Sequence, residues 1–314
     1  MVPPDNCLVT GAEGLVGTWL VQHLIEKGYR VHAGVRKDSA FLRSLDGPLR
    51  LRWLDVREPA AIAAWVQEVR PDRVFHLAAQ SLPRLSWQRP ALTIEVNVLG
   101  TLHLLEACRQ HAPAATVVVI GSSSEYAPDP SGRPISETDP QSPASPYGVS
   151  KWCSDECARL YAGRYGLRVV RVRPFFLVGP RKTGDVCSDF ARGVVAIERG
   201  SAPYVSVGDL DVVRDFLDVR DAVRALDIVA EKGVPGEVYN LCSGRGRLVR
   251  EVLDGYARLA AAPIEARVDP SLIRPMEDRI KVGDPSRLLA LGWKPDVPWE
   301  QTLADILDYW RKQE

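Results

Sequence analysis

Residues 6–28 read "NCLVTGAEGLVGTWLVQHLIEKG", and the fold turns on this stretch. The apolar run "NCLVT" reads as a strand. "VGTWLVQHLIEKG" repeats apolar residues at three- and four-residue spacing and reads as a helix stopped by Gly28. Between them stand Gly11, Gly14 and Gly17, three apart. Glycine at such a turn lets the main chain approach a pyrophosphate, whose charge then meets the helix N-terminus. Glycines in such a turn can also be purely structural, but the position at the first strand-to-helix crossover favours a dinucleotide.

Outward from that crossover, the strands "RVHAGV", "LRWLDV", "RVFHLAA", "TVVVIGS" and "RVVRVRPF" alternate with amphipathic segments. Those segments are "PAAIAAWVQEV", "NVLGTLHLLEACRQH" and "YGVSKWCSDECARLYAGRYG". The alternation predicts an α/β protein with a Rossmann-like, doubly wound parallel sheet covered by helices on both faces. Beyond Pro174 the pattern breaks into short pieces punctuated by proline and glycine, with order returning at "DFLDVRDAVRALDIVAEKG" and "EVYNLCSG". The expected division is a nucleotide domain over residues 1–173 plus about 212–242, and a smaller α/β substrate-binding lobe over about 174–211 and 243–314. That lobe would cover the strand ends, where open α/β sheets bind ligands.

With 314 residues, 46% of them hydrophobic, the chain can bury a large core. Forty basic residues balance forty acidic ones, so no net field draws the protein to nucleic acid or to an anionic membrane. No apolar stretch is expected to reach the roughly 20 residues of a membrane span, and "MVPPDNCLVTG" lacks a leader's charged and apolar regions. A cytoplasmic location is the expectation. The six cysteines form no CxxC pair and read as reduced small hydrophobes; Cys153 and Cys157 share a helix face as packing residues. Five histidines without a ligand-pair spacing suggest no metal.

The second strand ends in "VRKDSA". Arg36, Lys37 and Ser39 suit the 2′-phosphate of NADP(H), which is the expected cofactor, with NAD(H) possible. Asp38, beyond the strand end, argues the other way. The alternative is that Arg36 and Lys37 are solvated loop charges. Asp55 and Val56, after the third strand, are placed to edge the adenine. "HLAAQS", with Ala78, ends the fourth strand beside the cofactor, and His76 reads as a packed strand residue.

"SPYGVSK" places Tyr147 and Lys151 at i and i+4, on one face at the start of a helix. A free phenol titrates near 10 and is a poor base at neutral pH. A nearby ammonium lowers that value and makes the tyrosine a usable proton shuttle.

Taken with "TGAEGLVG", "GSSSEYA", "RPFFLVGP", "VRDFLDVRDAV", "YNLCSG" and "RPMEDRIKVGDPSRLLALGWKP", this motif makes the whole chain resemble the extended short-chain dehydrogenase/reductases. The similarity is to their nucleotide-sugar branch of epimerases, dehydratases and 4-keto-sugar reductases, above all to those acting on GDP-mannose and GDP-4-keto-6-deoxymannose. The resemblance implies that Ser122, four residues before Tyr126, joins Tyr147 and Lys151 in catalysis, and that Lys151 also holds the nicotinamide ribose. It implies a substrate site around Ser122, Ser123, Ser124 and Phe176, with Tyr126 lining it. Arg214 would contact the nucleotide diphosphate, and Arg274 and Glu277 the nucleoside. It also implies a homodimer through the two long helices.

Two positions depart from the family pattern. Dehydratases carry a carboxylate two residues before the loop tyrosine, where this chain has Ser124. Glu125 is one place along and reads as a loop charge turned away from the substrate, because neighbours in an extended segment face opposite sides. At Phe176 the family commonly has asparagine, whose amide hydrogen bond a phenyl ring cannot make. The expected activity is NADPH-dependent reduction of a nucleotide-linked, GDP-type 4-keto-6-deoxyhexose. The alternative is a 4-epimerase or 4,6-dehydratase with tightly bound NAD(P).

Overall fold

The computed structural model describes residues 5–129, 131–273 and 278–313. The first strands are β1 (Asn6–Thr10), β2 (Arg30–Val35), β3 (Leu49–Trp53), β4 (Arg73–His76), β5 (Thr116–Ile120) and β6 (Val169–Pro174). Then come β7 (Phe176–Val178), β8 (Val205–Val207), β9 (Val213–Asp218), β10 (Val238–Leu241), β11 (Gly246–Leu248), β12 (Ala266–Val268) and β13 (Ile280–Lys281). The helices begin with α1 (Leu15–Glu26), α2 (Ala40–Arg43), α3 (Pro59–Val69), α4 (Pro83–Gln88), α5 (Pro90–Ile94) and α6 (Gly100–His111). They continue with α7 (Pro146–Tyr165), α8 (Val186–Glu198), α9 (Val219–Lys232), α10 (Val249–Leu259), α11 (Ser286–Ala290) and α12 (Trp299–Arg311).

Seven strands form one sheet in the order β10-β6-β5-β4-β1-β2-β3, and every neighbour pair in it is parallel. The order reverses between β1 and β4, which opens a crevice at their carboxyl ends. Side chains alternate across the sheet. Cys7 and Val9 enter one apolar layer with α1 and α9, and Leu8 enters the other with α3 and α6. Burial on both faces is why these strands read as nearly unbroken apolar runs.

The first strand-to-helix crossover follows the sequence reading closely, but two other expectations change. Helix α5 continues through a π turn at Glu95–Leu99 into α6. The resulting run Pro90–His111 has 22 residues and holds an 18-residue window of mean hydropathy 1.2, long and apolar enough by composition alone to cross a membrane, contrary to expectation. Half of its apolar window is buried within this protein, and α6 packs on α3 and α7. The second change concerns the stretch from about 212, assigned above to the nucleotide domain. Strand β9 instead pairs with β7, β11 and β13 in a second, smaller sheet, and the chain rejoins the large sheet's layers only with α9 and β10. A six-residue strand such as Val213–Asp218, in which Arg214, Asp215 and Asp218 interrupt the apolar residues, carries no local signal of which sheet it will join.

The smaller sheet shares an apolar core with α8, α10 and α12, built around Phe190, Phe216, Tyr256 and Leu303. In the larger layer, Trp65 of α3 packs its ring where a Cβ on Gly34 of β2 would lie only 3.0 Å away. Trp65→Ala should therefore lower unfolding free energy by about 3–5 kcal/mol, read as a lower midpoint in urea.

Candidate active site

At the glycine turn, Gly11 adopts φ +66°, a left-handed conformation that favours glycine. A Cβ there would sit 2.7 Å from the Ala78 main chain, and one on Gly17 would sit 2.5 Å from the Gly11 carbonyl oxygen. Ala78 also donates its N–H to Thr10 Oγ1 at 3.2 Å, so the end of β4 is drawn against the turn. Gly14 caps α1 without a side-chain hydrogen bond, and the first turn, Leu15–Gly17, is uncharged. These features leave main-chain N–H groups and a helix N-terminus facing the crevice, and they fit a dinucleotide's pyrophosphate.

Beside this turn, Arg36 and Lys37 are exposed at the end of β2. Asp38 turns away to an ion pair with Arg43 at 2.7 Å, and Ser39 caps α2 by accepting the Leu42 N–H. Glu13, which carries no motif signal in the sequence, accepts the Arg36 N–H at 3.2 Å and ties the glycine turn to the strand end. Asp55 is clamped by Arg57, whose hydrogen bonds hold its carboxyl below the usual range. The Val56 side chain is buried against Gly100, so it serves the core rather than edging an adenine. His76 is also a core residue. It bonds to Thr10 Oγ1 at 2.8 Å and Thr101 Oγ1 at 3.1 Å, and burial pushes it down to about 3, so it stays neutral.

Across the crevice, Ser145 caps α7 and Pro146 opens it. Gly148 lets the helix start close on the serine turn, since a Cβ there would lie 2.6 Å from the Ser124 carbonyl oxygen. This close approach brings Tyr147 within hydrogen-bonding reach of Ser122. Lys151 is buried and donates to the Ile120 carbonyl at 2.7 Å. Burial lowers its ammonium to about 8, against the opposing pull of Glu125 and Asp155. Burial raises the Tyr147 phenol, and the downward pull on it comes from the Ser122 hydrogen bond, where the i, i+4 spacing points to Lys151.

The serine turn itself departs from the extended geometry expected of it. Ser123–Glu125 is a 3-10 turn closed by a capping box: Ser122 Oγ accepts the Ser124 N–H at 3.1 Å, and Glu125 Oε1 accepts the Ser122 N–H at 2.6 Å. Glu125 is therefore no solvated loop charge. It is fully buried and ion-paired with Arg173 at 2.9 Å. Tyr126 is also buried rather than site-lining; it donates to Asn240 Oδ1 at 2.7 Å and accepts from Arg173. Ser123 is buried, while Ser124 stays partly exposed.

Phe176 is half-buried beneath Arg214, whose guanidinium lies 5.3 Å from the ring centroid, and packs edge-on against Phe216 at 6.1 Å. The aromatic ring thus supplies a cation–π platform where an amide was the family expectation. Arg214 is buried and donates to the Val213 carbonyl at 2.8 Å. Its neighbour Asp215 gathers the N–H groups of Ser243, Gly244 and Gly283 and the Ser243 hydroxyl at 2.6–3.2 Å, joining "YNLCSG" to the "GD" segment. Arg274 and Glu277 lie outside the described residues. All six cysteines are free, and among the described residues no group of three or more His, Cys, Asp or Glu is placed to hold a metal ion.

A glycine turn for a dinucleotide facing a serine, tyrosine and lysine defines the class: an NAD(P)-dependent nucleotide-sugar oxidoreductase fold of the extended short-chain dehydrogenase/reductase type. Within that class the chain belongs to the GDP-mannose 4,6-dehydratase family, whose model matches residues 8–306. It is 34% identical to GDP-6-deoxy-D-mannose reductase of Pseudomonas aeruginosa, over 98% of each chain. It is 31% identical to GDP-mannose 4,6 dehydratase 1 of Arabidopsis thaliana, over 98% of this chain and 90% of that one. Among solved structures, RMD from Pseudomonas aeruginosa complexed with NADPH superposes with a TM-score of 0.84 at 32% identity, covering 98% of this chain and 99% of that one. The UDP-glucose 4-epimerase of Thermotoga maritima with UDP-glucose superposes with a TM-score of 0.89 at 29% identity and the same coverage.

If the glycine turn is a dinucleotide cradle, Gly17→Ala should weaken cofactor binding at least tenfold, because the added methyl collides with main chain. Quenching of protein fluorescence on titration with NADPH would measure this.

Proposed function

We propose that this protein reduces a GDP-linked 4-keto-6-deoxyhexose with NADPH, yielding a deoxysugar nucleotide. The observation that carries the reading is the serine turn. Ser124 occupies the place of the dehydratase carboxylate, and the adjacent Glu125 is buried on Arg173, out of reach of a substrate. Elimination of water across C5 and C6 needs a base at that place. Reduction at C4 does not. The similarity to GDP-6-deoxy-D-mannose reductase, and to a relative solved with NADPH, supports the same reaction and cofactor.

The cofactor, when bound, supplies the hydride that adds to the C4 carbonyl carbon. Ser122 donates a hydrogen bond to the C4 oxygen and orients it. Tyr147 passes its phenolic proton to that oxygen as negative charge develops, so the carbonyl becomes a hydroxyl and the proton is replaced from solvent. Lys151, as the ammonium, stabilises the phenolate left behind and hydrogen-bonds the nicotinamide ribose. Gly11, Gly14 and Gly17 cradle the pyrophosphate, and Arg36 and Lys37 take the 2′-phosphate. Arg214, supported by Phe176, holds the substrate diphosphate through a fork of N–H donors suited to phosphate oxygens. We assign the large-sheet layers to the cofactor and the smaller sheet with α8, α10 and α12 to the sugar nucleotide.

We further propose a cytoplasmic homodimer. Ile94, Leu99, Val149, Trp152 and Leu160 expose apolar surface along α5, the π turn and α7, and a second copy would cover it.

Incubation with NADPH and GDP-4-keto-6-deoxymannose should consume the reduced cofactor stoichiometrically, followed by absorbance at 340 nm. Turnover of a nucleotide sugar without added cofactor, by enzyme that purifies with nucleotide attached, would instead establish the epimerase. Tyr147→Phe should reduce turnover by at least a hundredfold while NADPH binding changes less than threefold. Replacing Trp152 and Leu160 together with glutamate should convert a dimer to a monomer by light scattering.

A further inference from the structure

Beneath the serine turn lies a buried ionic chain that the proposed chemistry does not touch. Arg173 of β6 reaches Glu125 Oε2 at 2.9 Å with one nitrogen and Asp155 Oδ2 at 2.6 Å with another. Arg171, two residues earlier on the same face of the strand, reaches the same Asp155 oxygen at 2.8 Å. All four side chains are buried, and both carboxylates are fully so. Ion pairs this deep recover their desolvation cost only in good geometry, so stability alone is a weak reason for them.

Each carboxylate sits next to a group of the proposed site. Glu125 holds the Ser122 main chain through the 2.6 Å hydrogen bond at its N–H. Asp155 lies one helical turn beyond Lys151, as Lys151 lies one turn beyond Tyr147, so the three share a face of α7.

We propose that Glu125 and Asp155, tied together by Arg173, are positioning residues that fix Ser122 against Tyr147 and hold Lys151 in its ammonium form. The proposal rests on reading Ser122, Tyr147 and Lys151 as the reacting groups. The charges around Lys151 are consistent with it. Glu125 from the serine turn and Asp155 from its own helix both favour the ammonium. Burial and Asp155 push the Glu125 carboxyl up to about 8, and the Arg173 guanidinium at 2.9 Å, the Ser122 N–H and Lys151 itself pull it back towards the carboxylate. Arg173 and Arg171 stand behind these carboxylates, Tyr147 lies one turn back on α7, and His76 of β4 stays neutral. Burial alone drives Lys151 towards the neutral amine, and the carboxylates oppose it. An ammonium lowered to about 8 is present at neutral pH and lost as pH rises through that value, so wild-type kcat should fall on an alkaline limb there.

The test compares the pH dependence of kcat in Glu125→Gln, Glu125→Asp and Asp155→Asn, each checked by its melting temperature and by NADPH titration. Glu125→Gln keeps an oxygen for the Ser122 N–H but loses the charge. Its alkaline limb should move roughly one pH unit lower. At pH 8 its kcat should then fall about fivefold with KM within about twofold, because the ammonium drops from about half of the enzyme to about a tenth. Glu125→Asp should restore the limb. Asp155→Asn leaves the Ser122 contact alone and should move the limb in the same direction.

An unmoved limb in folded Glu125→Gln or in Asp155→Asn overturns the proposal, whatever happens to the melting temperature. Should Glu125→Gln fail to fold, Asp155→Asn decides alone. Lys151→Met and Tyr147→Phe run alongside. Wild-type turnover in either would defeat the assignment of the reacting groups, a result distinguishable from an unmoved limb in enzyme that still depends on both.

Discussion

A guanidinium inside a strand covered on both faces is the constraint around which this protein is arranged. In β6, Val170 and Val172 point into the apolar layer shared with α9, and the period of two sends Arg171 and Arg173 to the opposite face. Two cations there would each cost several kcal/mol without partners. Asp155 of α7 answers both, and Glu125 answers the second. These pairings set the register of α7 over the sheet and the curl of the turn after β5. Tyr147 and Lys151 stand on the same helical face as Asp155, so the reach of Tyr147 to Ser122 and of Lys151 to the Ile120 carbonyl follows from the same register.

Much of this is legible in the chain itself. The glycine turn and "SPYGVSK" are local signals, each contained within one crossover or one helix start, and the structure has the turn and the helix start where they are read. The serine turn differs from its reading because strand alternation does not extend past the end of β5. Ser122 and Glu125 stand at the spacing of a capping box, a signal present in the sequence that buries the glutamate and, with it, Tyr126. The two arginines of "RVVRVRP" offer a second unused signal, since charges two apart in a central strand require buried carboxylates. Neither Asp155 nor Asn240 can be named as partners from sequence, because pairing across 16 to 114 positions is decided by packing.

The substitution of Phe176 for the family's asparagine has a physical account in the second layer. The ring continues a stack in which Phe216 lies 5.5 Å from Trp299, and it presents its face to Arg214. An amide would offer a hydrogen bond but neither the apolar contact nor the π surface. The small sheet thus exchanges one polar contact for a stiffer support beneath a buried arginine.

Strand β9 runs directly into α9, so the floor of the small sheet and a covering helix of the large one are a single uninterrupted segment. Asp215 in that strand binds main chain from two later segments, near residues 243 and 283. The smaller unit is for this reason no detachable module. A chimera built by transplanting it from a relative would have to bring β9, α9 and both partner segments together. New substrate range in such proteins is more accessible through the side chains on this shared frame than through exchange of whole domains.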